Sequence, residues 1–315
     1  MLDGFVITGG NANGPNPDNF GGGILNLSNS TPLIRNCLFT SNSAANFGGA
    51  MHTVSPGSNS SLILTNSSFE SNSATFGGAM IGHGSSVLTN VSFSRNRATN
   101  DGGAIYYDGS TRSTLTNVSF TQNTAGFGGD IRSFGEGVSL TLTNGVVFTG
   151  GIASGFAITG GSSLLVRYSL LDSSIPGSAY TSGPGNLTTA TSPFSSSGST
   201  QLSPTSLAIN AGDPATTSAT VDTIDLAGNP RFVNTLIDMG AYEFQQILEV
   251  ISLKTGSWND VTLWSVGRLP LARERVRLRH SVTIPTNHTA LGSTLLYDAG
   301  GRLVYQASGK LRLGQ

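Results

Sequence analysis

The feature that most constrains the fold is a short motif that recurs at nearly constant intervals. Each copy begins with one residue, usually Phe, and continues with Gly-Gly, a small residue and, in every copy, an apolar residue. The first residues of successive copies lie 27, 29, 25 and 26 positions apart. Such a period is typical of solenoids, in which each repeat packs against its neighbours. The copies begin at Phe20, Phe47, Phe76, Asp101 and Phe127.

A second signature recurs between the copies of the first. It pairs an Asn with a Phe three residues later, and a further Asn and Ala follow this Phe, so the repeat unit has three parts. The signature begins at Asn36, Asn66, Asn90 and Asn117, with a copy longer by one residue at Asn144. The following Asn and Ala residues are Asn42, Ala44, Asn72, Ala74, Asn96, Ala98, Asn123 and Ala125.

The alternation of apolar residues slips by one position at each signature Asn. Leu62 and Leu64 lie four and two residues before Asn66. Val91 and Phe93 lie one and three residues after Asn90, the next signature Asn. This slip predicts two short strands with a corner between them. Asn suits the corner because it tolerates left-handed backbone angles and its amide can pair with that of the next coil. The Phe residues would then stack inside the solenoid at the ~4.8 Å spacing of strands.

The Gly-Gly pair predicts the next corner, and we expect the Phe, Ala and Met residues beside it to belong to the core. Helix signals are almost absent. The predicted fold is therefore all-β, a right-handed parallel β-helix of about 27 residues per coil followed by a smaller C-terminal β-module. With partial copies at Leu2 and around Arg167, which we assign to the Asn position, about six or seven coils would form a rod roughly 30 Å long.

The two signatures resemble the Gly-Gly-Ala-Ile and Phe-x-x-Asn tandem repeats of the polymorphic outer-membrane protein family, which comprises bacterial surface and autotransported adhesins. The complete copies lie between residues 20 and 131. The resemblance implies a parallel β-helix in a secreted or surface-displayed bacterial protein. It implies less about the role, because the same units occur in many large bacterial surface proteins.

We divide the chain into three segments. Residues 1–172 hold the repeats, 173–246 a final coil and a capping segment, and 247–315 a separate β-module with both Trp residues. Stretches such as Asn210-Ala211-Gly212-Asp213-Pro214 resemble the closing segment of secreted choice-of-anchor β-helix proteins, and we expect this segment to cover the strand edge of the last coil. The Trp module resembles one found after β-helices in secreted Bacteroidetes-type proteins, and we expect it to be truncated.

Composition argues against several partners. The net charge is −1, and 10% of the residues are charged, compared with roughly 25% in typical soluble domains. The chain thus offers no overall basic character for nucleic acid or an anionic membrane. It has neither an apolar run long enough to span a membrane nor a signal peptide, so we expect a monomeric fragment of a larger chain. The single cysteine, Cys37, forms no disulfide framework and should be buried and inert.

Alignment of the coils on the Gly-Gly motif gathers one polar patch. His52, Tyr106 and Arg132 lie five positions after the leading residue of their copies, and His83 and Asp108 lie seven positions after. A His beside a carboxylate and an Arg can perform acid–base chemistry on a sugar. The candidate catalytic residues are therefore His83, Asp108 and Arg132, and the candidate binding residues are Tyr106, Tyr107, Asp101 and Asp130.

We favour the alternative that these residues are solvated members of variable turns. No column of the alignment repeats its acid or base. The carboxylate pair expected of a glycoside hydrolase is not present in a clear motif.

The densest acidic set lies near the end of the second segment. Asp222, Asp225 and Asp238 are candidate ligands for Ca²⁺, which binds oxygen atoms, and Glu243 lies close to them in sequence. Their spacing matches no calcium-binding loop, so we favour hydrogen-bonded turns and expect no cofactor.

Two hypotheses for the function follow. The favoured one is a non-enzymatic, adhesin-like β-helix at the bacterial surface, which binds a polysaccharide or another cell-surface ligand. The alternative is a polysaccharide lyase or a glycoside hydrolase. The alternative requires the side chains of His83, Asp108 and Arg132 to converge.

Overall fold

The computed structural model describes residues 1–27, 30–54, 61–151, 154–232, 236–245, 249–271 and 274–313. The chain forms two compact units, Met1–Phe244 and Gln245–Gln315. Strands account for 46% of the described residues, and about nine solenoid turns follow one another at intervals of roughly 26 residues. The prediction of an all-β parallel solenoid is therefore confirmed. Among the described residues, the helical segments are two short 3₁₀ turns, Gly177–Ala179 and Val261–Leu263.

Three parallel sheets run along the first unit, with thirteen, four and six strands. The first sheet contains Leu2–Asp3, Val6–Thr8, Leu33–Arg35, Leu38–Thr40, Ser61–Glu70, Ser85–Ser94, Arg112–Thr121, Ser139–Thr143, Val146–Phe148, Ser163–Arg167, Leu170–Asp172, Thr181–Ser182 and Leu187–Thr189. The second contains Asn11–Ala12, Ser43–Ala44, Ser73–Phe76 and Arg97–Asp101. The third contains Ile24–Leu27, Met51–Val54, Met80–Gly82, Ile105–Asp108, Ile131–Phe134 and Phe156–Thr159.

Four stacked Phe rings order the core of the repeat coils. The rings of Phe39, Phe69, Phe93 and Phe120 are fully buried. Successive centroids lie 4.6, 5.0 and 5.1 Å apart, and the ring planes are within 16° of parallel. The predicted Phe stack is confirmed, and Cys37 is buried in the same core, as expected.

The two glycines of each Gly-Gly pair are required for different physical reasons. Gly48 has a φ of 64°, in the left-handed region that a residue with a Cβ atom rarely adopts. Gly49 has no such angle, but a Cβ atom there would overlap the carbonyl oxygen of Gly78 in the next coil. Gly78 has the same relation to Gly103. The first glycine therefore permits the turn, and the second permits the close approach of adjacent coils.

The signature Asn residues occupy corners, as predicted. All five have left-handed φ angles between 46° and 55°. Asn90 Nδ2 donates to Asn66 Oδ1 at 3.0 Å, and Asn117 Nδ2 donates to Asn90 Oδ1 at 3.2 Å. These side chains form an outer Asn ladder across three coils.

A second left-handed corner follows two residues after each stacked Phe, and the sequence does not predict it. Its φ angles lie between 54° and 56°. The residues share no chemical character, which is why no signature marks the corner. They are Ser41, Ser71, Arg95 and Gln122.

The Asn that follows this second corner forms an inner Asn ladder, defined by Asn42, Asn72, Asn96 and Asn123, which are at most 1% exposed. Asn72 Nδ2 donates to the carbonyl oxygen of Phe39 at 3.0 Å and to Asn96 Oδ1 at 2.9 Å. Asn96 Oδ1 also accepts from the backbone N–H of Asn72 at 3.1 Å. Each inner amide therefore satisfies backbone groups and joins its coil to both neighbours.

The assignment of Arg167 to the Asn corner is wrong by one residue. The strand register pairs Thr143 with Arg167, so Tyr168 takes the position equivalent to Asn144. Tyr168 has a φ of 46° and Asn144 of 52°. An aromatic residue thus occupies the left-handed corner of that coil.

The leading Phe of the Gly-Gly motif also departs from expectation, because it lies outside the core. Phe20, Phe47 and Phe76 are half-buried, and Phe127 is 65% exposed. The first three rings form a row on the outside of the corner, with centroids 5.2 Å apart at each step.

The segment after the last repeat coil lies along the flank of the solenoid. Its first part adds a short coil to the first sheet. Later, the backbone N–H of Ala241 donates to Ser119 Oγ at 2.9 Å, and Asn66 Nδ2 donates to Asp222 Oδ2 at 3.2 Å. Because Asn66 and Ser119 belong to earlier coils, these contacts lie on the side of the solenoid, whereas we expected the segment to cover the strand edge of the last coil.

The second unit is itself built from parallel strands. Trp258 and Trp264 pack edge to face in its core, with centroids 4.8 Å apart, and Trp264 Nε1 donates to the carbonyl oxygen of Trp258 at 2.9 Å. Its three sheets are Glu249–Ile251 with Arg275–Leu278 and Thr294–Tyr297, Gly256–Ser257 with Ser281–Ile284 and Arg302–Tyr305, and Thr289–Gly292 with Lys310–Leu313.

We predict that Phe93→Ala lowers the free energy of unfolding by about 3–5 kcal/mol, because it opens a cavity within the ring stack. Urea denaturation followed by circular dichroism measures this loss. Phe127→Ala is the matched control, since its exposed ring should contribute less than about 0.5 kcal/mol. A loss below about 1 kcal/mol for Phe93→Ala would show that the stack does not stabilise the core.

We also predict that Asn96→Ala costs more than Asn117→Gly. The first change removes the acceptor of two buried donors and should cost about 2–4 kcal/mol. The second keeps the left-handed corner and removes one side-chain bond to Asn90, so it should cost about 1 kcal/mol. Equal losses in the same denaturation assay would contradict a dominant inner ladder.

Candidate functional site

The aligned candidate residues lie on or beside the third sheet, and Asp101 ends a strand of the second. Strand register places His52, Ile81, Tyr106 and Arg132 in one column across four neighbouring strands. Adjacent strands are about 4.8 Å apart. The alignment of coils therefore brings Tyr106 beside Arg132, as the sequence indicates.

His52 is enclosed at one end of this column and is neutral. Its ring lies 4.9 Å from that of Phe20 and 5.6 Å from that of Phe47, measured between centroids. Burial lowers the pKa of His52 to about 3, and the nearby His83 contributes in the same direction. His52 is thus a packed residue and not a proton carrier near neutral pH.

His83 and Asp108 meet on adjacent coils. His83 Nδ1 contacts Asp108 Oδ1, and each side chain is 28% exposed. Two of the three candidate catalytic residues are therefore in direct contact.

Arg132, the third, interacts with different partners. Its Nη1 donates to the carbonyl oxygen of Ala157 at 3.1 Å and to Thr159 Oγ1 at 2.8 Å. Its Nε lies 3.4 Å from Asp101 Oδ1, but neither atom makes a hydrogen bond within the part of the chain that the structure describes. Both atoms are buried, so this ion pair is shielded from solvent at the point of contact.

Two exposed aromatic rings flank Arg132. The guanidinium carbon lies 6.0 Å from the ring centroid of Phe127 and 5.5 Å from that of Phe134. Phe127 is 65% exposed and Phe134 is 51% exposed. We expected neither ring at the site, because the sequence pattern placed Phe127 in the core and gave Phe134 no role. Phe134 lies two residues after Arg132 in the same strand, so both side chains point outward, and this alternation could have identified Phe134.

Tyr106 lies among the charges of this patch. Burial raises the pKa of Tyr106, the carboxylates of Asp108 and Asp101 raise it further, and Arg132 opposes them. The half-buried Tyr106 is thus close to both polar pairs. We name Asp101, Tyr106, Asp108, Phe127, Arg132 and Phe134 the third-sheet patch.

Tyr107 is not a surface binding residue, contrary to our expectation. Its side chain points into the core, where its hydroxyl lies 2.9 Å from Ser86 Oγ. Burial raises the pKa of Tyr107. Its ring takes the space beside Gly82, where a Cβ atom would lie 2.9 Å from Tyr107 Cε1. The large and small residues of adjacent coils complement each other.

Asp130 is also buried, so its proposed role at a binding surface is wrong. Asp130 Oδ1 accepts from Asn123 Nδ2 at 2.9 Å and thereby ends the inner Asn ladder. Its Oδ2 makes no hydrogen bond with any described residue. Burial raises the pKa of Asp130 to about 7, and the charge of Asp172 contributes.

The acidic set near the end of the first unit accepts hydrogen bonds from the backbone groups of turns. Asp225 Oδ1 accepts from the backbone N–H groups of Ala227 and Asn229 at 2.9 and 2.8 Å. Asp238 Oδ1 accepts from that of Asn210 at 2.7 Å. Asp222 bonds the outer Asn ladder instead. Within the described ranges, no group of three or more His, Cys, Asp and Glu residues is arranged to hold a metal ion.

A buried arginine holds this acidic set together. Arg231 Nη2 donates to the carbonyl oxygen of Ala241 at 2.7 Å, and its Nη1 lies 3.7 Å from Glu243 Oε2. Burial raises the pKa of Glu243 to about 8, and the charge of Asp238 contributes. The carboxylates therefore serve the packing of the described residues of this segment against the coils.

Comparison with known proteins identifies the repeat. Residues 90–108 match the Chlamydia polymorphic membrane protein repeat. This match and the parallel solenoid fit a surface β-helix that carries such repeats. No curated protein and no solved structure matches the chain. None of the described helices has the length and apolar character needed to cross a membrane.

We predict that Asp130→Asn stabilises the protein increasingly as pH rises from about 4 to about 7. The native pKa of Asp130, about 7, lies above the ordinary Asp value of 3.8, so the unfolded chain loses this proton first and the wild type becomes less stable over this interval. Asn keeps the acceptor for Asn123 but cannot ionise. The advantage of the variant at pH 7 over pH 4 should reach about 2–4 kcal/mol in urea titrations, and a pH-independent difference would contradict the prediction.

Proposed function

We propose that the chain is a structural solenoid of a secreted or surface-exposed bacterial protein, and that it binds a neutral polysaccharide through the third-sheet patch. The observation that carries the binding proposal is the exposed pair Phe127 and Phe134 on either side of Arg132. The matched repeat supports the location, since it points to a bacterial outer-surface protein.

The chemistry of the patch fits hydroxyl-rich sugar rings. Exposed aromatic faces provide apolar contact area for the C–H faces of a sugar. The side chains of Arg132 and Asp101 are 14% and 20% exposed, so their accessible edges add polar groups beside the rings for sugar hydroxyls. Because the two carboxylates of the patch outnumber its single Arg, a neutral polymer fits better than an acidic one.

The parallel architecture suits an extended ligand. Successive coils present their outward residues at intervals of about 4.8 Å along the axis. Asp101 pairs with Phe127 and Tyr106 pairs with Arg132, so the patch spans two neighbouring coils. A polymer lying along the axis would contact more than one coil.

A lyase or hydrolase is the second candidate, and the contact between His83 and Asp108 favours it. Such an enzyme needs the acid, the base and the Arg to act on one bond. Arg132 instead donates to Ala157 and Thr159 and lies beside Asp101. This geometry supports a binding role for Arg132 more directly than a catalytic one.

We predict that the double variant Phe127→Ala/Phe134→Ala binds neutral polysaccharides about tenfold more weakly than the wild type, since two aromatic contacts are lost. A panel of immobilised neutral and acidic polysaccharides, read by biolayer interferometry, measures the change. Phe5→Ala, which removes an exposed ring at 55% exposure elsewhere, should leave binding unchanged.

The same panel tests the enzymatic alternative. Each polysaccharide is incubated with the purified chain, and new reducing ends and unsaturated products are measured. Turnover that Asp108→Ala abolishes would overturn the non-enzymatic proposal. Binding that is equal in the wild type and the Phe double variant would remove the patch as the glycan site.

A further inference from the structure

Charge is segregated between the two units, although the whole chain is nearly neutral. The sequence of Met1–Phe244 contains 7 Arg and no Lys against 13 Asp and Glu, a net charge of 7 − 13 = −6. Gln245–Gln315 contains 9 Lys and Arg against 4 Asp and Glu, a net charge of 9 − 4 = +5. The second unit is therefore strongly basic for its 71 residues, and the near-neutral charge of the whole chain does not exclude an anionic partner for it.

Three arginines of the second unit project from one face. Arg275, Arg277 and Arg279 alternate with the buried Val276 and Leu278 along a single strand and its end. Alternation places all three guanidinium groups on the outward side, with neighbours roughly 6.6 Å apart along the strand. Arg275 and Arg279 are exposed, and Arg277 is half-buried.

Two carboxylates on the adjacent strands fix the middle arginine. Arg277 Nη2 lies 2.9 Å from Glu249 Oε1, and Arg277 Nη1 donates to Asp298 Oδ1 at 2.7 Å. Arg279 Nε donates to Asp298 Oδ2 at 3.0 Å. These ion pairs orient the row and still leave three positive charges against two negative ones. We name these three arginines with Glu249 and Asp298 the arginine row.

The next coil adds more positive charge. Arg302 and Lys310 each begin a strand there and are exposed, as is Arg312. These side chains belong to the other two sheets of the unit, so positive charge is not confined to the sheet of the arginine row.

We propose that the second unit binds an acidic polysaccharide, whose carboxylate or sulfate groups contact the arginine row. The planar guanidinium binds such groups through two parallel N–H···O bonds. Half-buried apolar side chains of Ile251 and Leu296 lie beside Arg277 in register and offer contact to sugar rings. The outer-surface location to which the repeat points favours a polysaccharide over a nucleic acid.

The test uses the whole chain and the double variant Arg275→Gln/Arg279→Gln, which keeps Arg277 and its ion pairs to Glu249 and Asp298. Binding to immobilised polygalacturonate, chondroitin sulfate and neutral dextran is measured while NaCl is raised from about 50 to about 500 mM, which shortens the range of charge interactions. We expect wild type to bind one or both acidic polymers, salt to weaken this binding, and the variant to bind at least about tenfold more weakly at low salt. The two acidic polymers separate carboxylate from sulfate recognition.

Two further variants make the outcome specific. Arg95→Gln/Arg112→Gln removes two exposed arginines of the first unit and should leave acidic-polymer binding unchanged, as should Phe127→Ala/Phe134→Ala. Equal losses in the two arginine double variants, or equal binding to dextran, would overturn the proposal. Competition by duplex DNA that is as effective per charge as polygalacturonate would overturn the assignment to a polysaccharide.

Discussion

The inner Asn ladder is the interaction on which the rest of the solenoid depends. It lies where the chain turns from the first sheet to the second, directly after a left-handed corner. At that turn, Asn72 supplies a donor to the carbonyl oxygen of Phe39 in the coil before it and a second donor to Asn96 in the coil after it. Both bonds form only when coils stack in register. The same register then places the Phe rings one above another and pairs the strands of all three sheets.

The principal parts of the fold were predictable because, in the repeat, the same residue type recurs wherever the backbone has the same conformation. Asn at the outer corner, Phe in the stack and glycine at the tight turn each have a physical reason that is visible in one coil. The second corner has no such mark, since Ser71, Arg95 and Gln122 share nothing. Its left-handed angles are compensated by hydrogen bonds from the inner ladder, which exist only between coils. The inner Asn was visible as a recurrence, but its role required the packed structure.

The site was predictable to the extent that it follows strand register. Aligned coils brought Tyr106 next to Arg132 and His83 next to Asp108. The errors arose where the alternation of inward and outward side chains along a strand was not applied to single residues. Tyr107 follows an outward residue and so points inward. Phe127 precedes the left-handed glycine, so it lies outside the corner that the glycine forms.

One departure from the repeat lies where the inner ladder stops. Asp130 occupies the position held by Ala50, Ala79 and Ala104 in the earlier copies, and it replaces the next ladder amide as the acceptor for Asn123. Two and four residues later, Arg132 and Phe134 introduce the charge and the exposed ring of the third-sheet patch.

This coincidence has a physical cause. A coil inside the ladder must repeat its amide and its Phe, because both neighbours depend on them. The coil that ends the ladder has a dependent neighbour on one side only, so substitutions in it cost less stability. Its outward residues can then take up binding chemistry, while the buried Asp130 completes the hydrogen bonds of the coil before it.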